Sequence, residues 1–260
     1  MRTLLPVVVA TAMGLFLCVS CGCQSGVRGA GERVVAPTGF VFKTVTIGER
    51  SLRYVVYVPR GYDAGKRWPA IVFLHGSGES GTDGQKQIAQ GIGHDILWNA
   101  GRWPCIVLMA QKPVQEDQWE KYDDLVMKML EETRKGYAID GDRVALTGLS
   151  QGGHGTWSIG AAHPDVWCAL APICGYADAH DGGMSPHSIA AKVKGIPVWC
   201  FHGADDDVVL PAQSQAVVDA LKAAGAEPKF TLYPKTNHGS WDKAYGEKEL
   251  PGFLMTARKK

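Results

Sequence analysis

Two kinds of hydrophobic pattern take turns along the chain. Residues 40–47 and 52–58 alternate apolar and polar side chains around Gly48, Glu49, Arg50 and Ser51, which predicts an antiparallel hairpin. Six shorter runs follow, at 70–74, 105–109, 144–147, 169–173, 198–201 and 229–233, each close to continuous in apolar character. Runs of this kind predict strands buried on both faces, as in a parallel sheet covered by helices. Tyr122, Val126, Met129, Leu130 and Thr133 recur at helical spacing ahead of Gly136. Residues 211–224 open on Pro211, carry Val217, Ala220, Leu221 and Ala224, and stop at Gly225. Strands alternating with such helices predict an α/β doubly wound, mostly parallel sheet with an N-terminal antiparallel hairpin. In that architecture function sits at the carboxyl ends of the strands.

The first 23 residues follow a different rule. Met1 and Arg2 give a short basic start, an apolar run extends from Leu4 to Val19, and a small-residue exit follows at Cys18, Ser20, Cys21, Gly22 and Cys23. This order describes a bacterial-type secretory signal. The run is shorter than the roughly 18 to 20 residues a spanning helix needs. The segment also resembles a lipoprotein signal, in which a cysteine after the apolar run is lipidated. Ordinary cleavage and release is the other reading, and the sequence does not choose between Cys21 and Cys23. Residues 24–37 then form a tether, and residues 38–260 one catalytic-type domain. The expected location is periplasmic or extracellular, free or anchored by lipid.

Composition narrows the partners. With 27 Lys+Arg against 26 Asp+Glu the net charge is +1, which argues against nucleic acid, because phosphate binding needs clustered cations. At 45% hydrophobic the chain is too apolar to be disordered. Cys105, Cys168, Cys174 and Cys200 all lie in or beside apolar runs. Buried thiols are the default, although export would permit disulfides whose pairing sequence cannot give.

The chemistry is concentrated in three places. The run from Val144 ends in Gly148-Leu149-Ser150-Gln151-Gly152, a Gly-x-Ser-x-Gly segment between a predicted strand and a helix-compatible stretch reaching His163. This is the nucleophile-elbow pattern. Its serine must project from a sharp strand-to-helix turn, and its glycines remove β-carbons where strand and helix pass. A serine hydroxyl is a weak nucleophile, so it needs a base, and the base needs an orienting acid. In this architecture the acid and then the histidine follow the serine in chain order. Asp205, Asp206 and Asp207 stand just past the 198–201 run, and His238 stands in a loop after the 229–233 run.

These segments, taken with Leu74-His75-Gly76-Ser77-Gly78-Glu79, His163-Pro164-Asp165, Ala171-Pro172-Ile173-Cys174-Gly175 and His238-Gly239-Ser240-Trp241, resemble the α/β-hydrolase superfamily. Within it they are similar to small serine esterases of the phospholipase/carboxylesterase and dienelactone-hydrolase types, in a branch often labelled predicted peptidase or esterase. The resemblance implies an α/β-hydrolase fold, with Ser150 as nucleophile, His238 as base and Asp206 as orienting acid. Asp206 is the aspartate of the three that matches His202-Gly203-x-x-Asp206-x-x-Val209. Leu210 before Pro211 departs from the pattern, in which proline often follows the valine directly. The resemblance further implies an oxyanion hole from the N–H groups of Ser77 and Gln151, and no cofactor.

The remaining candidates are weaker. His180, Asp181 and His187 share a polar stretch at 178–188 but lack tight metal-ligand spacing, so no metal is expected and the stretch reads as a loop bordering the site. His75 and His202 read as makers of structural loop hydrogen bonds. Glu79 likewise reads as a hydrogen-bonding residue of its loop. Trp119 and Trp241 are candidates for the substrate cleft, with packing under loops as the alternative. The expected reaction is hydrolysis of carboxylic esters, of short-chain or aromatic type, on small molecules or on a polysaccharide. The alternatives are a peptidase with the same triad and a catalytically silent surface-binding lipoprotein.

Overall fold

The computed structural model describes residues 37–177 and 184–259. The expected export signal at 1–23 and the tether up to residue 36 lie outside the described residues, as do His180 and Asp181. No helix among the described residues is long and apolar enough to cross a membrane.

Eight strands make one sheet: β1 (Gly39–Ile47), β2 (Arg50–Val58), β3 (Trp68–Leu74), β4 (Ile106–Gln111), β5 (Ile139–Leu149), β6 (Ala169–Ile173), β7 (Trp199–Gly203) and β8 (Lys229–Tyr233). Across the sheet they run β1-β2-β4-β3-β5-β6-β7-β8. The β1–β2 and β2–β4 pairs are antiparallel, and every later pair is parallel. The hairpin turn is tighter than the four residues expected. Ile47 pairs with Arg50, which leaves only Gly48 and Glu49 to turn the chain. Gly48 supplies this with a φ of 58°, a positive value that two-residue hairpins demand and a side chain resists.

Strand side chains point alternately to two faces, so the sheet has two cores. Val72, Leu74, Leu108, Ala110 and Leu146 pack with α2 (Asp123–Gly136), α3 (Gln151–Ala162), α4 (Pro186–Val193) and α5 (Pro211–Ala223). Ile71, Phe73, Val107, Met109 and Leu149 pack on the other side with α1 (Gly91–Asn99), α6 (Trp241–Gly246) and α7 (Leu250–Thr256). Helix α2 shows why such segments settle as they do. Its Leu125, Val126, Met129, Leu130 and Thr133 form one buried stripe, while Asp123 and Asp124 open it and Arg134 and Lys135 close it. Each charge thereby faces the favourable end of the helix dipole.

Two expectations needed correction. Residues 229–233 form β8 at the sheet edge, with no residue fully buried, because no further strand among the described residues covers their outer flank. The polar stretch that ends at Ser188 is not all loop: Ser185 caps α4, its Oγ accepting from the Ser188 N–H at 3.2 Å, and Pro186 occupies the first turn. His187 therefore lies exposed on a helix. The four cysteines among the described residues are free and buried.

Candidate active site

The site is built where β5 hands the chain to α3. Ser150 sits between them with φ 54° and ψ −118°, a backbone conformation that L-residues avoid and that functional turns retain. Its N–H donates to Ile173 O at 2.9 Å, tying the turn to the end of β6. The neighbouring glycines are dictated by contact rather than by propensity. A Cβ on Gly148 would lie 2.3 Å from Gly152 O, and one on Gly152 would lie 2.0 Å from Leu74 O. Only a chain without β-carbons there lets α3 cross so close to β3.

His238 arrives from the loop after β8, and Asp206 from the loop after β7. The structure brings all three side chains together. His238 Nδ1 lies 2.8 Å from Asp206 Oδ2, and His238 Nε2 lies 2.8 Å from Ser150 Oγ. A carboxylate only accepts, so Nδ1 carries the proton and Nε2 turns its lone pair to the serine hydroxyl, which donates. Asp206 is buried, and its second oxygen accepts from the N–H groups of Val208 and Val209, both at 3.0 Å. The carboxylate is thus fixed by three donors, with a fourth from His202. Asp205 and Asp207 are exposed.

His202 has more to do with this site than its sequence position suggested. Its Nε2 lies 2.8 Å from Val209 O and 3.1 Å from Asp206 Oδ2, and its Nδ1 lies 2.8 Å from Ser214 Oγ. Burial pushes its ionisation below the ordinary histidine range, against the pull of Val209 O and Asp206. It therefore backs the acid as a neutral ring. Cys174 also closes on this pair: its sulfur, an Asp206 oxygen and a His238 nitrogen all lie within 4.8 Å of one another. Burial pushes that thiol up to about 12, so near neutrality it packs as an uncharged group.

Ser77 opens a short 3-10 turn, Ser77–Glu79, directly after Gly76. A Cβ on Gly76 would lie 3.5 Å from Ser150 Cβ, which puts this loop against Ser150. Gln151 is the first residue of α3, where helix geometry leaves N–H groups without intrahelical partners. The loop rests on buried polar groups. His75 Nε2 accepts from the Lys112 N–H at 3.1 Å, so its Nδ1–H donates to Gly76 O, and burial lowers its ionisation to about 3. Glu79 is also partly buried, and burial raises its carboxyl above the usual range.

The two tryptophans separate. Trp241 is half-buried at the start of α6, edge-on to His238 with ring centres 5.5 Å apart, and its Nε1–H donates to Gln90 Oε1 at 3.1 Å. Trp119 is fully buried, so it offers no face to a ligand. Its Nε1–H donates to His75 O at 3.1 Å, and its Cβ and Cγ fill the space that a Cβ on Gly155 would enter at 2.8 Å. The polar neighbours of Trp119 in sequence concealed this, because Glu120 and Lys121 are exposed while Trp119 and Tyr122 of the same short turn point inward. Trp119→Phe is expected to lower stability by about 1–3 kcal/mol, since it leaves a buried carbonyl without its donor. Urea unfolding measures this, and an unchanged midpoint would remove Trp119 from the support of the loop.

A profile of the Prolyl oligopeptidase family matches residues 180–254. Among curated relatives, an uncharacterized secreted protein of Arthroderma benhamiae is 25% identical over 211 residues, covering 68% of this chain and 22% of its own length. The carboxylesterase SOBER1 of Arabidopsis thaliana is 25% identical over 189 residues, covering 65% of this chain and 82% of its own. The chain spans 22% and 33% of the length of the first two curated relatives. Among solved structures, a thermostable esterase superposes with a TM-score of 0.72 at 30% identity, over 85% of this chain and 63% of that one. A ferulic acid esterase of Anaeromyces mucronatus gives a TM-score of 0.65 at 22% identity, over 90% and 96%. With its sheet order, its elbow and these likenesses, the chain belongs to the α/β-hydrolase superfamily.

Proposed function

We propose that this protein is a serine hydrolase cleaving carboxylic esters, with Ser150, His238 and Asp206 as its catalytic triad. The observation that carries this reading is the imidazole of His238 held 2.8 Å from both the hydroxyl and the carboxylate. Ser150 Oγ attacks the ester carbonyl while His238 Nε2 takes its proton. Asp206 holds the imidazole in the required tautomer and favours the imidazolium that forms. The N–H groups of Ser77 and Gln151 receive the negative charge on the carbonyl oxygen as the tetrahedral intermediate forms. His238 then gives its proton to the departing alkoxide, leaving an acyl-Ser150. Water attacks the acyl carbon, His238 again accepts a proton, and the carboxylic acid leaves as Ser150 recovers its hydrogen.

The substrate class we assign is short-chain or aromatic esters, free or attached to polysaccharide. The edge-on Trp241 beside the base offers a flat apolar wall for an aryl acyl group. The ferulic acid esterase that shares the fold, and the thermostable esterase and carboxylesterase among the relatives, agree with ester chemistry. Export follows from the basic and apolar start of the chain, in keeping with the relative described as secreted.

One observation favours a second reading. The family profile that spans Asp206 and His238 is that of prolyl oligopeptidases, whose chemistry needs the same triad. Purified protein lacking residues 1–23, assayed on acetyl, butyryl, feruloyl and long-chain esters beside matched amides, separates the two. The expected order is acetyl, butyryl or feruloyl esters first, long-chain esters well behind and amides last. Faster cleavage of the amides would establish the peptidase instead. Failure of Ser150 to label with a fluorophosphonate would leave a silent binding protein.

A further inference from the structure

We infer that Lys112 is a positioning residue, an ammonium clamp that holds both N–H donors of the proposed oxyanion hole in register. The inference rests on the esterase reading above. Lys112 follows β4, and its side chain is fully buried. A buried ammonium is costly unless every N–H finds an acceptor. Here each does: Nζ donates to Ser80 Oγ at 2.9 Å, Val114 O at 2.6 Å and Gln115 O at 2.9 Å.

Those acceptors are not scattered. Ser80 belongs to the loop that carries Ser77. Gln115 O also accepts from Gln151 Nε2 at 3.3 Å, and so reaches the residue after the nucleophile. The backbone of Lys112 repeats the connection: its N–H donates to His75 Nε2 at 3.1 Å and its carbonyl accepts from Gly81 N–H at 3.0 Å. Gln111 adds to it, donating from Nε2 to Glu79 O at 3.0 Å and accepting from Gly84 N–H at 2.6 Å. Bonds at residues 75, 79, 80, 81 and 84 thus bracket Ser77 from both sides, and a branch through Gln115 reaches Gln151. The other strongly paired lysines, Lys121, Lys128 and Lys135, sit in surface ion pairs with carboxylates. Lys112 instead spends its donors on neutral oxygens, one in the loop of Ser77 and two in the segment that follows Lys112 itself.

The clamp is complete in the charged form: a neutral amine keeps two N–H groups for Val114 O and Gln115 O, and its contact with Ser80 then holds only with the bond reversed, the hydroxyl donating to the nitrogen. Burial holds the ammonium down to about 8, while Asp117, Glu116 and Glu79 pull it upward. The charged or titratable groups facing this region are those three together with His75, Asp83 and Lys86. Between about 8 and the ordinary lysine value of 10.5 the unfolded chain binds more protons at this group than the folded one. This group therefore makes folding stability rise with pH over the window in which the clamp is lost. Catalysis and stability are driven in opposite directions, which a purely structural role would not do.

The test is kcat and KM for a butyrate ester from pH 6 to 10, with thermal midpoints, for the wild type, K112R and K112M. The wild type is expected to lose kcat above about pH 8 at nearly constant KM, without a parallel fall in thermal midpoint. In K112R, whose guanidinium stays charged, the loss should move upward or vanish. K112M should lose roughly 100-fold in kcat, as displaced catalytic geometry does, and lose affinity for a trifluoromethyl ketone by a similar factor. A flat wild-type kcat to pH 10, or a folded K112M within about threefold of wild type in kcat, overturns the clamp. Should neither variant fold, the wild-type profile alone decides. A wild type that turns over no ester overturns the esterase reading and the clamp with it, which sets that failure apart from an active enzyme with a flat profile.

Discussion

Replacing Ser150 with alanine is expected to reduce ester hydrolysis by about 10^6-fold while leaving the protein folded. The size follows from what the change removes. Ser150 Oγ is the nucleophile of the proposed reaction and the hydrogen-bond partner of His238 Nε2. Without it the imidazole has only water to activate, and the oxyanion donors act on a reaction with no acyl-enzyme. The fold should survive because alanine keeps the Cβ and the backbone bonds of the turn, Ser150 N–H to Ile173 O and His154 N–H to Ser150 O. A companion variant makes the argument sharper. The turn holds φ at 54°, where a β-carbon is strained, so Ser150→Gly should be as inactive as the alanine variant yet more stable by about 1–3 kcal/mol. Steady-state rates on a p-nitrophenyl ester and thermal midpoints read both effects. Alanine protein that keeps more than a few per cent of the rate would remove Ser150 from the mechanism.

The elements that carry the site were legible from local pattern, and those that support it were not. Strands β3 to β7 announced themselves because a strand covered on both faces must be apolar at every position, as Ile71 to Leu74 show. Gly148 and Gly152 were legible because a chain crossing at 2.0–2.3 Å from a missing Cβ tolerates no other residue, and they frame Ser150. Helices α1, α6 and α7 gave little signal. They are short, and α1 includes Gly91 and Gly93, whose small size serves packing against Leu149, Phe73 and Ile88 rather than helix propensity. His202 and Lys112 were hidden for a different reason. Each looks like an ordinary polar residue at a strand end, and its role comes from partners that lie far away in sequence, or from burial that neighbouring residues do not report. Trp119 stayed open between cleft and packing for the same cause, and its burial decides for packing.

The glycine at 152 should prove as indispensable to the fold as the serine at 150 is to the proposed chemistry. Gly152→Ala would put a methyl group 2.0 Å from Leu74 O, 2.5 Å from Leu74 C and 2.6 Å from His75 O. All three are backbone atoms, so no side chain can swing aside to make room. Relief requires α3 to withdraw from the end of β3, yet both sides of that contact are fixed. Helix α3 is buried along nearly its whole length between the strand ends and Trp119, and Leu74 is locked in the sheet between β4 and β5. The cost should exceed about 4–5 kcal/mol, beyond the range of most single substitutions, which is a large part of the stability of a domain this size. Gly78→Ala is the fitting control, because no atom lies within 4 Å of the position its Cβ would take. The Gly152 variant should be insoluble or unfold far below the wild type, whereas the Gly78 variant keeps its thermal midpoint within a few degrees. Equal midpoints for the two would mean that β3 and α3 pass with more room than these contacts allow. The loop bearing Ser77 would then have to be held against Ser150 by its hydrogen bonds alone.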